Sequence, residues 1–124
     1  MTQTSKTSQR LLLGARILLA LAFGAAGASK LAGVEQMVVL FEHVGFGQWF
    51  RIFTGATEIV AVILVLLPAT SFFGALLMAV TMVGAIATHL FLVGGSPAPA
   101  IVLGVLSAFV AYRLRLQVRQ ANIA

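Results

Sequence analysis

The stretch Thr54–Pro68, TGATEIVAVILVLLP, is apolar enough to cross a bilayer, yet it carries Glu58. An unpaired carboxylate at mid-membrane costs about 2.5–3.5 kcal/mol even on insertion scales. It therefore needs a cationic partner or a proton. Arg16, Lys30, Arg51 and His89 are the candidate partners.

The rest of the chain fits the same setting. Its 124 residues are 60% hydrophobic and only 9% charged. A soluble domain of this size has too little interior to hide so much apolar surface. At about 20 residues per crossing, the apolar mass suffices for four helices and leaves no room for an appended catalytic domain. The composition points to an all-α polytopic membrane protein, an antiparallel bundle of four transmembrane helices.

Spans are expected near residues 11–30, 49–67, 71–93 and 97–114, making a membrane domain over 11–114 with tails over 1–10 and 115–124. Between the first two spans, Val34, Met37, Val38 and Phe41 recur at helical spacing beside Glu35, Glu42 and His43, as in a short interfacial helix ended by Gly45 and Gly47. Trp49 suits a headgroup-level anchor and Tyr112 the opposite interface. Pro68 stops the second span, Gly94-Gly95 the third, and Ser96-Pro97 reads as the start of the fourth. The first span also resembles a secretory signal peptide, but Arg16 interrupts its apolar region, and we expect it to be retained.

The formal net charge is +5, and six of the eight basic residues (Lys6, Arg10, Arg16, Arg113, Arg115 and Arg119) gather near the two chain ends. That is the distribution of a membrane protein with both termini in the cytoplasm, not of a nucleic-acid binder. No cysteine is present, which removes disulfides, thiol chemistry, iron–sulfur clusters and Cys-based zinc sites. Two histidines, one of them interfacial, make a poor haem site, and no His/carboxylate set has metal-ligand spacing. Neither haem nor metal is expected. Nothing resembles a phosphate loop, a catalytic triad or a dinucleotide fingerprint, so no catalytic residue is assigned and the isolated chain is not expected to be an enzyme.

Helical geometry sorts the polar residues. Arg16, Ala20, Phe23, Gly27 and Lys30 share one face of the first span; Arg51, Gly55, Glu58 and Val62 share one face of the second; Met78, Met82, Ala85 and His89 share one face of the third. Charges in lipid face the bundle interior or water, so these faces should meet. By depth alone, Glu58 lies roughly 14 Å below Trp49 at about 1.5 Å per residue, nearer to His89 than to Lys30. Glu58, His89, Lys30, Arg51 and Arg16 are the candidates for ligand binding or proton handling. Met78, Met82, Gly27 and Gly55 are candidates for a pocket wall. The competing reading is architectural: the polar network fixes helix register, and Met fills the core. Close helix approach is expected at Gly24 and Ala28, Gly84 and Thr88, and Gly104 and Ala108.

Four segments, RILLALAFGAAGASKL, FEHVGFGQWF, GATEIVAVILVLLP and GAIATHL, together resemble the DoxX-like family of small four-helix membrane proteins, with the resemblance covering roughly Arg16 to Ala111. The resemblance implies a bundle in the bacterial cytoplasmic membrane and maps the family's recurring polar positions onto Arg16, Lys30, Glu58 and His89. It also implies association with redox or quinone-stress systems, or with membrane-protein assembly. Sulfur transfer would have no cysteine nucleophile here. Three functions stay open on the residues: an accessory component of a membrane redox system with a pocket for a quinone-like molecule, an assembly or partner-binding protein with no ligand of its own, and a proton-coupled small transporter.

Overall fold

The computed structural model describes residues 5–123, with side chains described through Arg119, and every regular element among them is helical. Helix α1 spans Lys6–Ala32, α2 Glu35–Val44, α3 Gln48–Leu66, α4 Ser71–Thr88 and α5 Ala98–Ile123; a π-helical turn, His89–Val93, extends α4. Four of these segments (α1, α3, α4 with its π turn, and Ala98–Arg119) are long and apolar enough to cross a membrane.

Local chemistry explains the boundaries. The Ser5 hydroxyl accepts from the Ser8 N–H at 3.1 Å and caps α1, so helix begins before the first expected span boundary. Residues 1–4 of the expected N-terminal tail lie outside the described residues. Gly33 takes a left-handed conformation (φ 71°) and sends the chain from α1 into α2, which lies where the interfacial helix was expected. At the other end α5 runs to Ile123 rather than stopping near 114. No Gly or Pro follows Gly104, and Leu, Arg and Gln are good helix formers, so nothing ends the helix at the expected boundary.

The long helices form a closed ring of neighbours in which α1 packs on α3, α3 on α4, α4 on α5 and α5 back on α1. Leu19, Phe23, Ala61, Val65, Ala75, Met78 and Val110 form the fully enclosed centre. Outward faces carry exposed Leu, Ile, Val and Phe on every long helix, as a lipid-facing surface requires. Helix α2 crosses one end, against α3 and the π turn. The start of α1, the end of α5 and the α3–α4 link occupy the opposite end. Ser71 and Ser107, both buried in the spans, donate to the carbonyls of Pro68 and Leu103, so neither leaves an unsatisfied hydroxyl.

The close approaches fall at glycines other than most of those expected. A Cβ on Gly27 would sit 3.0 Å from the Gly55 carbonyl, and one on Gly55 would sit 2.9 Å from the Lys30 Cβ, so this pair sets the α1–α3 crossing. A Cβ on Gly74 would come within 2.3 Å of the Val65 nitrogen, which fixes α3 against α4. Gly104 does face Met82 closely, whereas Gly24 and Gly84 meet nothing within 4 Å. Small-residue spacing marks positions where approach is allowed; partner geometry decides which are used.

Candidate functional site

Glu58 is 2% exposed, and its Oε1 lies 2.8 Å from the Nζ of Lys30. The Gly27–Gly55 crossing explains this pairing. It brings the base of Lys30 level with Gly55, one turn from Glu58, and the four-carbon stem reaches inward over that turn. Depth counted along separate helices had favoured His89; the close crossing reverses that order. Lys30 is 13% exposed, so the ion pair is enclosed on both sides.

The two arginines do other work. The Arg16 Nε donates to the Val65 carbonyl at 2.9 Å, and its Nη2 donates to Leu66 at 3.3 Å. Arg16 thus closes the C-terminus of α3. Reciprocally, Arg51 on α3 donates from Nη1 to the Lys30 carbonyl at the C-terminus of α1, and its Nε donates to Gln48 at 2.7 Å. Gln48 in turn donates to the Val38 carbonyl of α2 at 3.0 Å. Each guanidinium satisfies carbonyls that the helix cannot and sits at the negative end of a helix dipole.

Beside the Glu58–Lys30 pair opens a cavity of about 400 Å³ between α3, α4 and the overlying α2. A volume in that range suits a small organic molecule, for which sites run about 300–1,000 Å³. Phe41, Phe46, Phe50 and Phe53 form one wall. Phe50 is their hub, edge-on to Phe41 at 5.9 Å and to Phe46 at 5.5 Å, and stacked on Phe53 at 6.3 Å. Thr54 and Thr57 of α3 and Thr81 and Thr88 of α4 line it, and Met82, Gly84 and Ala85 complete the α4 side.

His89 stands at the end of this wall, where α4 loosens into its π turn. Its Nδ1 lies 2.9 Å from the Gly94 carbonyl oxygen. The Gly94 N–H donates back to the His89 carbonyl at 3.0 Å, closing the turn. His43 on α2 is exposed and bonds only the Val39 carbonyl of its own helix.

Of the residues singled out from the sequence, the structure therefore brings Lys30, Glu58, Met82 and His89 around one cavity. Arg16 and Arg51 act as helix caps, Gly27 and Gly55 form a helix crossing, and Met78 belongs to the closed core. The sequence reading missed the four cavity threonines and the phenylalanine wall. A signal existed: Thr54 and Thr57 are one turn and one residue before Glu58, and Thr81 and Thr88 each precede a residue of the His89 face.

Residues 15–112 match the family model described as the DoxX-like family, which takes in every residue of the cavity. No curated protein and no solved structure matches the chain. With most of its length matched, and with four long apolar helices, the chain is a membrane protein that belongs to the DoxX-like family.

Proposed function

We propose that the protein is an accessory component of a membrane redox system and holds a quinone-like molecule in the cavity beside Glu58. One observation carries this reading: an almost fully enclosed Glu58–Lys30 ion pair lines an aromatic-walled cavity. Intramembrane ionisable groups facing a cavity are functional sites by default. The phenylalanine wall offers faces and edges to a flat ring, and Met82 adapts to its substituents. In this reading Glu58 and His89 exchange protons with the ring oxygens.

In this account the protein sits in a bacterial cytoplasmic membrane with both termini inside. The distribution of charge supports that orientation. Lys6, Arg10, Arg16, Arg113, Arg115 and Arg119 lie towards the terminal end, whereas Glu35 and Glu42 lie on α2 and Glu58 near the middle of α3.

The test is purification from native membranes in lipid nanodiscs, followed by native mass spectrometry and extraction. A near-stoichiometric quinone-class molecule, lost in Glu58→Gln and in Gly84→Leu, is the expected result. Gly84→Leu is suited to this because its Cβ meets nothing within 4 Å and its side chain would fill the cavity from the wall. A second reading, a partner-binding or assembly subunit, draws on Gly14 and Gly24 of α1, which also meet nothing within 4 Å and leave a smooth outer face for another helix. Recovery of one specific membrane protein with no small molecule would favour that reading instead.

A further inference from the structure

We infer that the cavity selects a lipophilic hydroxyl donor, and within the quinone class the reduced quinol over the oxidised quinone. The inference rests on the cavity being the ligand site and specifies the chemistry of what enters it.

The hydrogen-bonding polarity of the lining is lopsided. The His89 Nδ1 faces the Gly94 carbonyl oxygen at 2.9 Å, and a carbonyl oxygen can only accept. Nδ1 therefore carries the hydrogen, and in the neutral ring Nε2 keeps a bare lone pair. The threonines share this bias. The hydroxyls of Thr54, Thr57, Thr81 and Thr88 donate to the carbonyls of Phe50, Phe53, Leu77 and Gly84, each at 2.8–2.9 Å and one turn back on its own helix. With their hydrogens so used, these oxygens offer only lone pairs to a ligand. Glu58 adds carboxylate lone pairs beyond the one that Lys30 meets. Against these acceptors stands one donor group on the cavity wall, the Lys30 ammonium.

A hydroxyl answers both kinds of group, because it accepts from Lys30 while donating to Glu58 or His89. A quinone oxygen can only accept. It would accept from Lys30, whose ammonium can hold Glu58 at the same time, and would leave the His89 lone pair without a donor. Recruiting a threonine hydroxyl as donor would break its bond to the helix backbone. An unanswered buried acceptor weakens binding by about tenfold or more. The phenylalanine wall then favours an aromatic ring carrying that hydroxyl over an aliphatic alcohol.

The test compares decylubiquinol, decylubiquinone and the dimethyl ether of the quinol for binding to the full chain in nanodiscs under anaerobic conditions. The quinol should bind at least about tenfold more tightly than the quinone, and the ether, which keeps the ring but cannot donate, no more tightly than the quinone. His89→Leu, at a half-buried position on the rim, should weaken the quinol and leave the quinone unchanged. Equal affinities, or a tighter quinone, with both ligands displaced by Gly84→Leu, would overturn the donor selectivity and leave the site standing. Failure of all three probes to bind, or binding unaffected by Gly84→Leu, would overturn the site and the selectivity together.

Discussion

Met78 and Met82 stand one turn apart on the same face of α4 and share one core cluster, yet only Met82 also reaches the cavity. Met78 is wholly enclosed, packed into the cluster that includes Leu19, Phe23, Ala61 and Val65. Met82 borders the cavity. In the terminal half, Gly74 against the Val65 backbone draws α3 and α4 together and apolar side chains fill what remains. In the other half, threonines and phenylalanines separate the same two helices, and α2 covers the space. The difference teaches where architecture ends and binding begins. A polar residue in the closed half has its bonds met by the chain itself, as with Ser107 on Leu103 or Arg16 on Val65 and Leu66. In the open half Glu58 is met by the Lys30 side chain alone, and His89 is bonded on one side.

Substitutions can break this contrast most severely at Gly74. A side chain there would collide with backbone rather than with a flexible neighbour, so Gly74→Leu should exceed the usual overpacking penalty of about 1–3 kcal/mol and abolish the folded bundle. Size-exclusion chromatography of the purified variant checks this, and a monodisperse protein would contradict the tight crossing. Gly84→Leu, on the same helix but facing the cavity, should run like wild type.

Next in size is the ion pair. Lys30→Met leaves the enclosed Glu58 without its cation and should destabilise the fold by about 3–5 kcal/mol. Adding Glu58→Leu should restore most of that loss, because the pair and its apolar replacement are closer in stability than either half-removed state. Reversible unfolding in mixed micelles measures both variants. Additive losses would mean that the two groups are not coupled.

The two methionines sharpen the comparison directly. Met78→Ala should cost about 2–5 kcal/mol by opening a hole in packed core and leave ligand affinity unaltered. Met82→Ala should cost less, since one side of its chain already faces open space, and should alter affinity. Smallest is Arg16→Met, expected to remove about 1–2 kcal/mol through the lost α3 cap, with no change in ligand binding. A binding defect in Arg16→Met would place the two halves in communication.

Much of the fold could be read from the chain before its structure. Apolar run length, Pro68, Gly94 and the interfacial spacing of Val34, Met37, Val38 and Phe41 locate α2, α3 and the end of the third crossing to within a residue or two, because those signals are local. The π turn at His89–Val93 and the extension of α5 leave no comparable mark. The site was legible in part: helical faces selected Lys30, Glu58, Met82 and His89, but they selected Arg16, Arg51, Gly27, Gly55 and Met78 as well. Separating the two groups needs the distance between α1 and α3, which is set by two glycines 28 positions apart in the chain. No periodicity along one helix encodes that distance. It also decides that Lys30 rather than His89 meets Glu58.

The account stands or falls on whether a ligand occupies the open half. Photolabelling the protein in nanodiscs with an aryl-azide quinol analogue, followed by peptide mass spectrometry, locates the occupant directly. The account predicts adducts on Phe50, Met82 or His89, competed away by unlabelled quinol. Adducts confined to outward-facing residues such as Phe73 and Val83, unaffected by competitor, would show that the molecule sits in the lipid around the bundle and not within it.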